Sequence, residues 1–248
     1  MAEQKFPSEV IDLPSKGKMY PEGHPCKDGK IELKYMTAKE EDILTSQNLI
    51  KKGLVIDRLL DSLILTPGVK CEDLLLGDKN AVMVAARVLA YGPEYACEIT
   101  TPAGETIEQT FNLADCPFKE IDENITENSF DFQLPISKTN VKFSILTGKD
   151  EKLIEKDLEA SKKIGTGYTP ELSTRLRYII KEVDGDNSQS IINQTSVNML
   201  ARDSMALREE LQKVSPDIEL SQEIEIGGET VKVDIPMTVG FFWPKVTR

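Results

Sequence analysis

The stretch DKNAVMVAARVLAYGP, residues 78–93, determines how the rest of the chain can be arranged. It predicts a helix from Lys79 to Tyr91 that Gly92-Pro93 ends. Alanine and valine occur on almost every side of this helix, so it has no broad face for water and should lie centrally in the core. Asp78 stands directly before it and can cap its first turn. The remaining segments are therefore expected to cover this helix.

Two amphipathic helices are predicted upstream of it. Thr37 and Glu40 form a capping box, T-A-K-E, for a helix that continues to about Lys52 and is stopped by Gly53. A second helix over 54–65 places four aliphatic side chains on one wide face. These side chains are Leu59, Leu60, Leu63 and Ile64.

The hydrophobic period falls to two between residues 94 and 147. EYACEIT and ETIEQTFNL flank TPAG, and SFDFQLPI and NVKFSIL flank SKTN, which predicts two β-hairpins. A last hairpin is predicted where ELSQEIEI and VKVDIPM flank GGET. Neither hairpin region is stable alone in water, so we expect 94–147 and 218–237 to meet in space.

Helices return between the hairpins, at 148–164, at 170–183 and from the end of the loop 184–189 to about Val214. The last of these is expected to break near Asp203, which could cap its second half. The helix 170–183 stacks five apolar residues on one side, and the final helix has a buried stripe of four. The two sets are Leu172, Leu176, Ile179, Ile180 and Val183, and Leu200, Leu207, Leu211 and Val214.

This segregated layout predicts the α+β class rather than a parallel α/β sheet, which would require strict alternation. We expect residues 37–248 to form one compact unit. The predicted segments are an extended N-terminal arm (1–36), a helical segment (37–93), β-hairpins (94–147), a second helical segment (148–215), and a β-hairpin with an aromatic tail (216–248).

The arm at 1–36 is rich in proline, glycine and lysine, and Pro14, Pro21 and Pro25 exclude a helix there. SKGK (15–18) lacks the spacing of a phosphate-binding loop. We therefore interpret it as part of a flexible docking arm.

Charge and composition exclude several classes of function. The 248 residues carry a net charge of -12 at pH 7, and the hairpins at 94–113 and 218–235 carry eight glutamates against the single Lys232. Such surfaces disfavour contact with a phosphate backbone, so we expect no nucleic acid partner. No apolar run is long enough to span a membrane, and the first residues do not form a signal peptide. We therefore expect no membrane partner and a cytoplasmic site of synthesis.

No residue pattern predicts an active site, a cofactor or a metal. Cys26, Cys71, Cys97 and Cys116 are scattered without metal-ligand spacing and are interpreted as isolated buried thiols. The one histidine, His24, lies in the turn PEGHP, and the chain has no second histidine for a catalytic dyad or a zinc site.

Several blocks of the sequence resemble the baseplate hub proteins of T-even-like contractile-tailed phages. The blocks are, in chain order, LPSKGKMYPEG (13–23), YMTAKEEDILTSQNLIKKG (35–53), LLLGDKNAVMVAARVLAYG (74–92), DSMALR (203–208), SPDIEL (215–220) and IPMTVGFFWP (235–244). Each block is weak alone, but their order and spacing over about 11–244 make the resemblance specific.

One departure from that family concerns zinc. Many members carry Cys-Pro-x-Cys-Gly knuckles in two hairpin turns, whereas the turns here read TTPAGET (100–106) and EIGGET (225–230). A tetrahedral zinc site needs about four ligands, usually Cys or His, and these turns contain neither. The resemblance therefore implies zinc-ribbon-like hairpins, while the residues predict that they are metal-free.

The resemblance implies a structural or assembly component of a contractile tail, in contact with other tail and baseplate hub proteins. Such a protein would reside in the virion tail baseplate or, as an assembly chaperone absent from the mature virion, in the host cytoplasm. An enzyme, such as a hub-associated hydrolase, would need a convergent carboxylate pair or another catalytic constellation. A nucleic-acid-binding ribbon would need a basic face on the hairpins. We favour the contact protein.

Candidate partner-contact residues come from the motifs near both chain ends and from DSMALR. They are Leu13, Pro14, Lys16, Tyr20, Asp203, Arg208, Phe241, Phe242, Trp243 and Pro244. For Asp203 and Arg208, helix rules favour a cap and a surface ion pair, with contact to a neighbouring subunit as the alternative. For the tail, packing on the protein's own body is favoured, because exposed aromatics reduce solubility, over anchoring in a neighbouring subunit.

Overall fold

The fold consists of α-helices and small antiparallel sheets, which confirms the predicted α+β class. The computed structural model describes residues 7–100, 104, 106–164, 167–226, 228–237 and 239–243. The helices are α1 Ala38–Thr45, α2 Gln47–Lys51, α3 Val55–Leu63, α4 Leu76–Tyr91, α5 Gly148–Ile164, α6 Glu171–Ile179, α7 Gln189–Asn198 and α8 Ala201–Val214. The strands are β1 Ser8–Asp12, β2 Lys30–Lys34, β3 Glu94–Thr100, β4 Thr106–Asn112, β5 Phe130–Gln133, β6 Asn140–Phe143, β7 Ile180–Val183, β8 Ser221–Ile226 and β9 Glu229–Asp234.

The strands form four small sheets in the described part of the chain, β1-β2, β3-β4, β5-β6-β7 and β8-β9, and every pair is antiparallel. The three predicted hairpins are therefore confirmed. The two strand regions also meet, because Glu219 N donates to the carbonyl of Pro117 and Phe118 bridges to Ile218, although they do not merge into one sheet.

The predicted helix at 170–183 is wrong in its last turn. Helix α6 ends at Ile179, and β7 continues directly from it to pair with β6, with Ile180 opposite Phe143 and Val183 opposite Val141. β-branched side chains fit a pleated surface well, and here the pairing partners lie about 40 residues upstream. Periodicity within the segment could not reveal them.

Helix α4 is central, as predicted, but it begins earlier than the sequence suggests. Ala81, Val82, Val84 and Ala86 are all buried in the larger of two hydrophobic cores. Asp78 is not the N-cap, because the helix starts at Leu76 and the Asp78 side chain lies inside its first turn with no exposed surface.

The buried Asp78 carboxylate binds the N-terminal segment. One oxygen accepts hydrogen bonds from the hydroxyl groups of Ser15 (2.7 Å) and Tyr20 (2.8 Å), and the other accepts from the backbone N–H of Ser15 (2.9 Å). The Tyr20 hydroxyl in turn accepts from the backbone N–H of Leu75 (3.0 Å). Burial raises the pKa of both Asp78 and Tyr20, because each ionised form would lose its hydration.

SKGK belongs to a folded, packed loop rather than to a flexible arm, and its docking role stays a prediction. Strands β1 and β2 pair along their full length, and the loop between them folds inward so that Leu13, Met19 and Tyr20 are buried. Gly17 has φ +73°, and a Cβ there would overlap the backbone carbonyl of Lys27. His24 is half-buried, with its ring stacked on that of Tyr20 at a centroid distance of 4.5 Å.

A smaller second core lies between the three-stranded sheet and helices α5 to α8. Its buried members include Phe143, Ile154, Leu176, Ile180 and Leu207. The two cores are joined by backbone hydrogen bonds from Leu76 to Leu146 and from Gly148 to Leu74. Gly77 completes this seam, because a Cβ at that position would overlap the carbonyl of Pro216.

The aromatic tail packs on the protein's own body, which confirms the favoured interpretation. Phe241 and Phe242 are 2% and 1% exposed, and the Phe241 ring contacts the edges of Tyr95 and Phe242 at centroid distances of 5.1 and 5.2 Å. The Nε of Arg87 donates to the Phe241 carbonyl at 2.9 Å. Trp243 is half-buried against the same core, and Pro244 lies outside the described residues.

Phe242→Ala should lower the free energy of unfolding by about 3–5 kcal/mol, because the substitution leaves a cavity in a tightly packed core. Chemical denaturation followed by circular dichroism measures this change. Phe118→Ala is the matched control, since it removes the same atoms from a side chain that is 38% exposed and should cost far less. Equal losses in the two variants would contradict the packing of the tail.

Candidate docking site

Most of the predicted partner-contact residues belong to the core. Leu13, Pro14, Tyr20, Phe241 and Phe242 are all buried. They bind the two chain-terminal segments to the ends of α4. Their side chains are used within the chain itself, and contact with another protein at these five positions stays a prediction.

Asp203 is also buried, and it neither caps a helix nor pairs with Arg208. Its carboxylate accepts hydrogen bonds from the backbone N–H groups of Ile136 (2.7 Å) and Ser137 (3.0 Å) in the β5–β6 turn. Burial opposes ionisation of this group, but the two amides outweigh it and hold the pKa of Asp203 below its usual value. Asp203 therefore fixes α8 beneath the hairpin turn.

Two of the predicted residues remain exposed, and one of them lies at a groove. Lys16 is exposed in the turn after Ser15, with φ +52°. Arg208 is exposed on α8, where its Nε donates to the carbonyl of Ser204 at 3.3 Å. The guanidinium lies at a groove of about 490 Å³ formed by α6, α7 and the start of α8.

We call this feature the α6–α8 groove and define it by Tyr168, Leu172, Ser196, Val197, Ser204 and Arg208, all of which line it. Its walls carry large apolar side chains in contact with solvent: Tyr168 is 72% exposed, Leu172 45% and Val197 66%. Leu200 and Met205, at neighbouring positions of α8, are both more than half exposed. Contiguous exposed apolar surface of this kind is typical of a site where another protein binds.

The sequence pattern predicts that Leu172 and Leu200 are buried, which is wrong for both. Leu172 was expected on the buried side of α6, but the second core takes Leu176 and Ile179 from that helix and leaves Leu172 outside. Leu200 was expected in the buried stripe of the last helix, but it is the N-cap residue of α8, after a break that falls at Met199-Leu200 rather than near Asp203. Met199 and Leu200 both have an extended backbone, so the helical periodicity does not continue through them.

The floor of the groove contains two hydroxyl groups that lack partners. The Oγ atoms of Ser196 and Ser204 are buried and make no hydrogen bond in the described part of the chain. Serines in helices ordinarily donate to the carbonyl four residues back, as Ser161 does to Asp157 and Ser215 does to Leu211. A buried polar group without a partner costs about 1–3 kcal/mol, so this pair needs a physical explanation.

The groove has hydrogen-bond donors at the start of α8 and at Arg208. The N-cap of α8 is Leu200, whose side chain cannot accept a hydrogen bond from the first-turn N–H groups, and Ala201 of that turn lines the groove. The acidic residue of the turn, Asp203, has both oxygens occupied by the β5–β6 turn. Glu171 at the rim is paired with Arg175 at 3.7 Å, whereas Arg208 has no carboxylate partner among the described residues.

The described ranges contain no group of three or more His, Cys, Asp or Glu side chains placed to hold a metal ion. None of their helices is both long and apolar enough to cross a membrane.

Comparison with protein-family models, with curated proteins and with solved structures gives no match. The functional interpretation therefore depends on the residues of this chain and on the geometry of the α6–α8 groove.

Asp203→Asn should reduce the loss of stability in acid. The pKa of Asp203 is lowered in the folded state, so its contribution is complete above its unfolded pKa, about 3.9, and is lost as the pH falls through the folded value. Asparagine cannot take up that proton. The free energy of unfolding of the variant should therefore change less with pH than that of the wild type over this range.

Urea denaturation at a series of acidic pH values measures the difference. Asp131→Asn, at a carboxylate that is 87% exposed on β5, is the control and should follow the wild-type dependence. Parallel curves for wild type and Asp203→Asn would contradict the assigned role of Asp203.

Proposed function

We propose that this protein is a structural or assembly component of the baseplate hub of a contractile phage tail and that it acts through protein–protein contacts. The ordered resemblance of six sequence blocks to T-even-like hub proteins supports the setting. The α6–α8 groove supports the mechanism, and it is the single observation on which the contact role depends.

The chemistry of the groove suits a protein partner. Tyrosine and arginine are enriched among the residues that dominate binding energy at interfaces, and Tyr168 and Arg208 line the groove together with Leu172 and Val197. Met199, which also lines it, is a flexible side chain that adapts to the shape of a partner. Covering these exposed side chains would bring about 25 cal/mol for each Å² of apolar surface removed from water.

The two family-like motifs near the chain ends support a separation between the scaffold and the docking site. LPSKGKMYPEG and IPMTVGFFWP lie mainly in the first core, where Tyr20 and Phe241 bind opposite ends of α4. These motifs specify the scaffold. The groove is built on the second core, and Leu172 and Val197 expose apolar surface there that a partner would cover.

Two roles in tail assembly fit this proposal, and mass spectrometry of purified virions separates them. A hub subunit would be abundant in mature particles. An assembly chaperone would be present in infected cells and in tail intermediates but absent from virions. Absence from both the particles and the intermediates would contradict the proposal.

Leu172→Asp, introduced into the phage gene, should prevent baseplate assembly while the purified variant remains folded. A charged group in the groove would meet the apolar side chains of the partner, and burying an unpaired charge is strongly unfavourable. Electron microscopy of infected-cell lysates counts assembled tails, and circular dichroism checks the fold.

Leu153→Asp is the matched control for this experiment. Leu153 is 40% exposed on α5 and does not line the groove, so the same substitution there should allow tail assembly. Wild-type numbers of tails with Leu172→Asp would show that the groove is not the docking site.

A further inference from the structure

We infer that the α6–α8 groove binds an acidic segment of a partner protein, in which a carboxylate flanked by apolar side chains is held by Arg208 and by the hydroxyls of Ser196 and Ser204. This inference rests on the proposed function only in taking the groove as a protein docking site. It adds the chemistry of the occupant.

Arg208 gives the groove a local positive charge that complements a carboxylate, although the protein as a whole has 42 acidic and 30 basic residues. The neighbouring arginines on α6 are engaged within the chain. Arg175 binds Glu151 at 2.6 and 2.9 Å, and Arg177 lies 3.6 Å from Asp157. Arg208 is different, because its only hydrogen bond within the described ranges goes to the Ser204 carbonyl through Nε. Its guanidinium is therefore able to bind a carboxylate from outside the chain.

Two hydroxyls without hydrogen-bond partners also favour a polar occupant. Ser196 and Ser204 are 3% and 4% exposed, both line the groove, and neither Oγ has a partner in the part of the chain that the structure describes. A serine side chain has three staggered rotamers, so each hydroxyl can turn toward an occupant. A carboxylate accepts several hydrogen bonds at once, and it would satisfy both serines as well as Arg208.

The uncapped start of α8 also favours an anionic occupant. Backbone N–H groups in the first turn of a helix carry partial positive charge, and the Leu200 side chain leaves them without a cap. Because Ala201 of this turn lines the groove, these donors add to the guanidinium and the hydroxyls. The guanidinium and these N–H groups can only donate hydrogen bonds, and the serine hydroxyls can donate as well as accept, so one anionic acceptor could satisfy them together.

The apolar walls determine what must surround the carboxylate. Tyr168, Leu172 and Val197 are exposed along the groove, so an isolated anion would leave them in water. A peptide with aliphatic or aromatic residues beside its Asp or Glu would cover them. The expected occupant is therefore an acidic, apolar protein segment rather than a free small anion.

A selection of short random peptides on the immobilised full chain tests this inference without any phage component. Peptides that combine Asp or Glu with aliphatic or aromatic neighbours should be enriched. An enriched peptide is then synthesised together with its amide twin, in which Asn or Gln replaces the acid, and both are titrated by fluorescence anisotropy. The acid form should bind about 10- to 100-fold more tightly, as expected for hydrogen bonds to a charged group.

Variants locate the carboxylate. The acid and amide peptides should bind Arg208→Ala with similar affinity. On the double variant Ser196→Ala/Ser204→Ala, the ratio of the two affinities should be smaller than on the wild type. Arg202→Ala, at an exposed arginine two residues before Ser204 that does not line the groove, should leave this ratio unchanged.

Three results would overturn the inference. The first is enrichment of peptides without acidic residues. The second is an acid advantage that persists on Arg208→Ala. The third is self-association of the chain that Leu172→Asp abolishes, because the occupant would then be a second copy. These results differ from a failure of the proposed function. If the protein binds acidic peptides at the groove but never enters tail assembly, only the phage role is contradicted.

Discussion

The buried carboxylate of Asp78 is the interaction on which the rest of the fold depends. It accepts three hydrogen bonds from Ser15 and Tyr20, and so it attaches a segment rich in proline and glycine to the first turn of the central helix. Removing any partner would leave polar groups unsatisfied in a dry site, where each costs about 1–3 kcal/mol. At the other end of the same helix Arg87 binds the carbonyl groups of Phe241, Gly92 and Glu94. Helix α4 thus fixes both chain-terminal segments, one through a buried acid and the other through a buried base.

Local features of the fold could be predicted from the sequence, whereas its long-range polar contacts could not. The Thr37–Glu40 capping box and the three hairpins depend on residues within a few positions of one another, and the structure confirms them. The partners of Asp78, Asp203 and Arg87 lie 63, 67 and 154 residues away along the chain. A carboxylate in a helical pattern looks like a cap or a surface charge until such partners are known. The sequence does not reveal that the hydroxyls of Ser196 and Ser204 lack partners, because a serine within a helix usually donates to a carbonyl of the preceding turn.

The position of the binding surface follows from this division of the molecule. The segments LPSKGKMYPEG and IPMTVGFFWP help to complete the first core, where Tyr20, Phe241 and Phe242 are buried. The second core is smaller and leaves apolar side chains of α6, α7 and α8 in water around Arg208. Of the ten residues considered for partner contact from the sequence, Arg208 is the one that the structure places at a groove with unsatisfied donors. The scaffold and the proposed docking site are therefore separate parts of the chain, which allows groove variants to be tested without loss of the fold.

The most direct test of this account is a double-mutant cycle between Tyr20 and Asp78. The free energies of unfolding of wild type, Tyr20→Phe, Asp78→Asn and the double variant are measured by chemical denaturation. If the Asp78 carboxylate holds the N-terminal segment on α4, the two substitutions will be coupled by at least about 1 kcal/mol, because Tyr20→Phe removes a donor and Asp78→Asn replaces one of the two accepting oxygens by an NH2 donor. Additivity within about 0.5 kcal/mol would contradict the central role of Asp78.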